Sequence, residues 1–339
     1  MSGGVDSSVA VAILKEQGYE VVGVTLRLFP EAEGHPHPCC LVEDAADAFR
    51  VCASLGIPHY VLNYERPFRE TVIAHFLEEY RRGRTPNPCL ACNREIKFRL
   101  LLQRAIALGM DFLATGHYAR IIHDDHYRLL RGSDPVKDQS YFLYALGQEE
   151  LAHLMMPVGE LRKDRVRAKA RALGLPTAGK PESQDICFVP DGLARFLARH
   201  IKAEPGEAVD SQGRVLGLHP GVAFFTVGQR HGLHLSSSCP LYVLRIETEK
   251  NRLVVGLEHE LHSRELVAGG LSWVAGRPPE GTDAEASIRY RSPAAPAVLE
   301  LTGDRARVTF RYPQRAIAPG QAVVFYRGEE VLGGGTIEA

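Results

Sequence analysis

Ser2-Gly3-Gly4-Val5-Asp6-Ser7-Ser8 opens the chain one residue after Met1, and the apolar positions that follow (Val9, Ala10, Ala12, Ile13, Leu14) recur at helical spacing up to Gly18. Two adjacent glycines let the backbone turn tightly and bring N–H groups up to an anion. Ser7 and Ser8 add hydroxyls at a helix N-terminus, where the dipole favours phosphate. Asp6 suits the orientation of a donor or of Mg²⁺. No lysine follows in the GxxxxGK[ST] manner, so the loop fits pyrophosphate binding better than γ-phosphoryl transfer. A plain serine-and-aspartate helix cap would explain the glycines alone, but not the whole run.

Outward from this loop, strand-like and helix-like runs alternate. Glu20 to Leu28 and Pro58 to Leu62 read as strands, as does Asp111 to Thr115, which runs into Gly116-His117. Glu43 to Leu55, Phe68 to Tyr80 and Ile96 to Leu108 read as helices. Such alternation predicts an α/β unit with a parallel sheet over residues 1–150. Leu151 to Leu173 reads as one long cationic helix and Gly192 to His200 as a short one, in a small central α+β unit over 151–237. Beyond Ser236-Ser237-Ser238, five β-type runs (Leu241–Ile246, Arg252–Val255, Ala286–Arg291, Ala306–Tyr312, Ala322–Tyr326) predict a β-barrel over 238–339.

Size and composition bound the rest. The 339 residues are 45% hydrophobic and 24% charged, which excludes a disordered or fibrous chain. Forty Lys+Arg against 41 Asp+Glu leave a net charge of −1, so any polyanion surface has to be local. Arg162, Lys163, Arg165, Arg167, Lys169 and Arg171 form one such track, and Arg81, Arg82 and Arg84 a second. No apolar run approaches a membrane span, and nothing resembles a signal peptide, so the expected location is the cytoplasm. Seven cysteines without a secretory signal read as reduced thiols, metal ligands or catalytic groups. His35-Pro36-His37-Pro38-Cys39-Cys40 is too tightly spaced for a tetrahedral zinc site and is expected to form a flexible loop over the active site.

The second informative stretch is Thr85-Pro86-Asn87-Pro88-Cys89-Leu90-Ala91-Cys92-Asn93. Its prolines stiffen a presenting loop, and a helix follows. Cys92 is thus expected at or near a helix N-terminus, its pKa lowered there and by Arg94 and Lys97. Cys187, in Ser183-Gln184-Asp185-Ile186-Cys187-Phe188, suits a loop entering a strand.

The opening loop resembles the SGGxDS motif of the PP-loop ATP pyrophosphatases. The ordered set SGGVDSS, TPNPCxxCNxxIKF, ATGHYAR, KDQSYFL, SQDICF and TVGQRHGL is similar to the bacterial tRNA-specific 2-thiouridylases, over nearly the whole chain. The resemblance implies ATP-dependent thiolation of the wobble uridine of tRNA, U34, with ATP and Mg²⁺ as cofactors. It also implies a first sheet strand ahead of the loop; the expectation is that this strand is missing because the start was assigned at an internal Met.

By the same resemblance, Ser2, Gly3, Gly4, Val5, Asp6, Ser7, Ser8, Leu26 and Gly116 contact ATP. Cys92 is the nucleophile and Cys187 carries a persulfide loaded by a sulfur-carrier protein or cysteine desulfurase relay. Asn87, Pro88 and Cys89 meet the target base. His117, Lys137, Asp138, Gln139, Arg289, Tyr290 and Gln321 contact the tRNA, whose anticodon loop has to release the base from its stack. Cys89 stands where many members have Asp. Two sulfur routes stay open: a relay ending in a Cys92–Cys187 disulfide, or a [4Fe–4S] cluster on Cys89, Cys92 and Cys187. An amide-forming PP-loop synthetase is the remaining alternative.

Overall fold

The structure, a computed structural model, describes residues 1–29, 42–181, 186–189 and 191–338. The His35–Cys40 stretch and Ser183–Asp185 lie outside the described residues.

Parallel strands with intervening helices organise the first part of the chain, in two pieces. Gly23–Arg27 pairs in parallel with His59–Asn63, Thr25 opposite Val61, and the helix Val42–Leu55 connects them. Leu113–Ala114 pairs in parallel with Leu154–Met155. The first helix, Val5–Glu16, follows the glycine loop directly. Ahead of it the Met1 amine donates to the Val24 carbonyl, and Thr25 Oγ1 donates to the Met1 carbonyl at 3.0 Å.

Two expected boundaries are crossed by pairing. The strand Leu154–Met155 and the helix Lys163–Ala172 belong with the first part: the strand pairs with Leu113–Ala114, and the helix packs Val166 and Ala170 against Val5, Val9 and Val11 of the first helix. The long helix expected over Leu151 to Leu173 is therefore broken into Gln148–Ala152, the strand, and Lys163–Ala172. Pro157 removes an N–H donor and Gly159 comes so close to Ala119 that a Cβ would lie 1.8 Å from its carbonyl oxygen, so helical continuity fails there. Likewise Gly206–Val209 pairs in parallel with Arg252–Gly256, which pairs with Tyr242–Glu247. The strands on both sides of Ser236–Ser238 thus share one four-stranded sheet.

The remaining strands form the barrel that the β-type runs predict. Strands His262–Trp273, Arg305–Arg315, Ala295–Thr302, Asp283–Ser287, Ala322–Arg327 and Glu330–Ile337 neighbour one another in that order, and the last pairs back with the first, closing a six-stranded ring. The hairpin Ala119–His123/Tyr127–Arg131 joins its rim through Leu130 and Glu330. Arg289 and Tyr290, expected within a strand, stand in the turn after Ser287.

One aromatic cluster ties the unit to the segment around Cys187. Phe76 stacks edge-on to Phe188 at 5.1 Å, and Phe188 meets Phe68 at 5.8 Å and Phe196 at 5.3 Å. Phe68 and Phe76 are fully buried. Truncating Phe76 to Ala is expected to lower unfolding stability by about 3–5 kcal/mol, read by chemical denaturation, because a ring packed against Tyr80, Phe188 and Phe196 leaves a cavity that cannot collapse.

Candidate functional site

The glycine loop is shaped by contacts that admit no side chain. Gly3 takes φ +66°, and a Cβ there would lie 2.4 Å from the Asp44 carbonyl oxygen. Gly116 lies against the loop from the other side: a Cβ would stand 2.7 Å from the Ser7 nitrogen. Ser7 Oγ and Ser8 Oγ both donate back to the Gly4 carbonyl, at 3.1 and 2.9 Å, and Thr177 Oγ1 donates to Ser8 Oγ at 2.9 Å. The hydroxyls thus fold the loop, leaving the first main-chain amides of the helix as its anion-binding groups.

Asp6 is gripped from two distant parts of the chain. Lys163 Nζ donates to both carboxylate oxygens at 2.8 Å, and the Tyr118 hydroxyl donates to Oδ1 at 2.7 Å. Tyr118 is itself fixed by Gln139, whose Oε1 accepts the Tyr118 N–H at 3.0 Å and whose own N–H donates to the Tyr118 carbonyl at 2.8 Å. Asp138 accepts the Gly132 and Ser140 amides at 3.0 Å and Arg131 at 3.2 Å. Asp138 and Gln139, expected on tRNA, thus have internal partners. Beside Gly3, Lys180 Nζ pairs with Asp44 and Asp47, both at 2.5 Å. Burial pulls its pKa down, but the two carboxylates outweigh that and raise it.

The thiols are arranged differently from the expectation. Asn87 Oδ1 accepts the Cys89 N–H at 3.1 Å and Pro88 takes the first helical position, so the helix starts at Pro88. It continues with i→i+5 bonding across Cys92–Leu101. Cys92 therefore sits a turn inside the helix, only 9% exposed. Burial pushes its pKa up; Lys97 pulls down and Cys89 pushes further up, for a net rise where a fall was expected. Arg94 is turned to Glu95 at 2.9 Å. Cys89 is exposed. Cys187 is half-buried and packs against the same cluster as Cys92. Cys52, Cys92 and Cys239 are free thiols. Among the described residues no three His, Cys, Asp or Glu converge as a metal site, so Cys89, Cys92 and Cys187 as arranged do not fit a cluster.

Around the thiols, the loop Gly83–Asn87 is fastened by both β units. The Thr85 amide donates to the Pro319 carbonyl at 2.8 Å, Gln321 Nε2 donates to the Thr85 carbonyl at 2.7 Å, and Thr85 Oγ1 donates to Thr226 Oγ1 at 3.3 Å. Gln321 positions the loop from within. Tyr290 packs on Phe142 at 4.3 Å, and Asn93 Nδ2 donates to the Phe142 carbonyl at 3.4 Å. A cavity of about 250 Å³ opens here, lined by Glu79, Arg84, Asn87, Arg94 and Phe142 among others. His117 bonds Thr115 Oγ1 through Nδ1 at 2.9 Å; burial first, then Lys97, lowers its pKa to about 3, so the ring is neutral near pH 7. Leu26 packs partly buried against the aromatic cluster.

The basic tracks are partly neutralised. Arg82 pairs with Glu78 at 2.9 Å, Arg84 with Glu79 at 3.0 Å and Lys169 with Glu16 at 2.6 Å. Arg162, Arg165 and Arg171 remain exposed. Tyr118, Lys163 and Lys180 are the site residues that sequence reasoning passed over. Tyr118 stands beside Gly116-His117, and Lys163 was counted among surface cations; its place at the start of a helix packed on the first helix was the missing signal.

Comparison with known proteins gives a consistent result. A family model described as tRNA methyl transferase HUP domain matches residues 1–191; a tRNA methyl transferase PRC-barrel domain matches 194–257, and an aminomethyltransferase β-barrel domain matches 263–337. The tRNA-specific 2-thiouridylase MnmA of Carboxydothermus hydrogenoformans is 52% identical over 350 residues, covering 100% of this chain and 96% of the relative. That of Roseiflexus castenholzii is 50% identical, covering 99% and 97%. The U34-tRNA thiolase NcsA from Methanococcus maripaludis with its [4Fe-4S] cluster aligns at TM-score 0.35 and 20% identity, over 59% of this chain and 60% of that one, too weak a likeness to carry an argument.

Thiol alkylation checks the geometry. Iodoacetamide followed by peptide mass spectrometry is expected to modify exposed Cys89 well ahead of buried Cys92, whose rate keeps rising beyond the usual thiol range as the solution is made more alkaline. A Cys92 reaction that levels off near neutral pH would contradict the buried-thiol reading.

Proposed function

The chain belongs to the tRNA-specific 2-thiouridylase family and catalyses the ATP-dependent 2-thiolation of U34 in tRNA; from that premise we propose how its residues divide the work. The Ser2–Ser8 loop with Leu26 and Gly116 takes ATP, the helix amides facing the phosphates. Mg²⁺ binds polyphosphates through one or two carboxylates and water, which suits the single carboxylate Asp6; when bound it neutralises charge on the departing pyrophosphate.

The uracil C2 carbonyl is a poor electrophile. Attack of its oxygen on the α-phosphorus forms an O–P bond and expels pyrophosphate, and the adenylated oxygen can then leave as AMP. The outer sulfur of a Cys187 persulfide forms the bond to C2, displacing AMP with the C–O electron pair. Cys92 thiolate then attacks the Cys187 sulfur; the S–S electrons go to the sulfur on C2, and a Cys92–Cys187 disulfide remains. A dithiol reductant resets it, and a sulfur-carrier protein or cysteine desulfurase relay reloads Cys187. Burial keeps Cys92 protonated until the base arrives, with Lys97 as the cation nearest to favour its thiolate.

Asn87 and Pro88 present the loop to the flipped base with Cys89 at its mouth, while neutral His117, Lys137, Arg289 and Tyr290 meet the RNA. Gln139 and Gln321 act by holding Tyr118 and Thr85, and Asp138 by holding the Gly132 and Ser140 amides. The assignment divides the chain into a nucleotide unit that extends through Cys187, a middle unit, and a barrel that grips tRNA. Among the described residues no helix is long and apolar enough to cross a membrane, and the reading puts the enzyme in the cytoplasm with its tRNA.

The observation that supports the relay is that Cys92 and Cys187 pack against one aromatic cluster. Nucleoside mass spectrometry of tRNA from cells whose only copy carries Cys187→Ser tests it. 2-Thiouridine at U34 is expected to vanish; undiminished 2-thiouridine would overturn the assignment.

A further inference from the structure

The nucleotide loop has amides and hydroxyls but no cation of its own, and Ser7 and Ser8 direct their hydroxyls back to Gly4. Beside it, among the described residues, Lys163 pairs with Asp6, and Lys180 with Asp44 and Asp47. A polyphosphate brings further negative charge beside these carboxylates. Lys180 is held between two carboxylates. Lys163 grips Asp6, is only 12% exposed, and starts a helix whose first amide donates to Asp134 Oδ2 at 2.9 Å. Its flexible stem passes the Tyr118 ring, with Nζ 5.7 Å from the centroid. Tyr118 would still hold Asp6 through its hydroxyl if the lysine left.

We propose that Lys163 is the polyphosphate-binding cation of this enzyme: it rests on Asp6 in the nucleotide-free protein and moves onto the β- and γ-phosphates when ATP enters. The inference rests on the nucleotide reading above. In the reaction the O–P bond forms at the α-phosphorus and the electron pair of the breaking bond goes to pyrophosphate. Lys163 stabilises that departing charge, the work a loop lysine does in GxxxxGK[ST] proteins. It also explains why Asp6 does not repel the nucleotide: the ammonium lies between carboxylate and phosphate. Because the cation comes from a helix far along the chain, the loop motif alone does not announce it.

Calorimetric titration of the full-length protein with ATP, pyrophosphate and AMP, for the unaltered chain, Lys163→Met and Lys163→Arg, tests this. In Lys163→Met, ATP and pyrophosphate affinity is expected to fall by about 10- to 100-fold, the weight of one charge-assisted contact, with AMP affinity nearly unchanged. Lys163→Arg is expected to recover part of the pyrophosphate affinity. Unchanged binding of all three ligands in Lys163→Met would overturn the proposal. Equal loss of AMP and pyrophosphate, whether or not that variant folds, would also overturn it by making Lys163 a structural brace. If the unaltered chain bound neither ATP nor pyrophosphate, the nucleotide reading itself would fall.

Discussion

The Asp6 carboxylate is the point on which this architecture converges. The first helix supplies it, the segment after the strand Leu113–Ala114 brings Tyr118 to it, and the helix Lys163–Ala172 brings Lys163. Each partner is then tied to something else: Tyr118 to Gln139, the Lys163 amide to Asp134, and the loop behind Asp6 to Gly116. Residues more than a hundred positions apart are thereby fixed to within hydrogen-bonding distance of one small loop. A charged pair this sheltered is weak support for stability in itself, since desolvation offsets attraction. Its value here is positional, placing carboxylate and ammonium where phosphate chemistry needs them.

A similar economy holds the thiols. Asn87 and Pro88 start the helix, and the barrel turn Pro319–Gln321 clamps Thr85 just ahead of it. The aromatic cluster then brings Cys187 against the same core as Cys92. Burial there raises the Cys92 pKa. Nothing in this arrangement favours the amide-forming alternative, which has no use for three cysteines.

What could be read without coordinates was local. The Ser2–Ser8 loop, the Asn87-Pro88 cap and the β-type runs of the barrel each carry their instruction in neighbouring residues, so their existence was legible. The failures were long-range. Leu151 to Leu173 looks like one helix until Leu154–Met155 finds its parallel partner at Leu113–Ala114. The strands on either side of Ser236–Ser238 look like two units until Arg252–Gly256 pairs with Gly206–Val209. Lys163 reads as one surface cation among six, because only packing against the first helix turns it inward. Cys92 was expected to be activated by a helix end, and burial outweighs that end once the helix is seen to begin four residues earlier.

The central claim is that sulfur reaches an ATP-activated uridine from Cys187 and that Cys92 completes the release. Peptide mapping after a single turnover of persulfide-loaded enzyme, with ATP and substrate tRNA but no reductant, tests it most directly. The account predicts one Cys92–Cys187 disulfide for each 2-thiouridine formed. 2-Thiouridine formed while both cysteines stay reduced would contradict it.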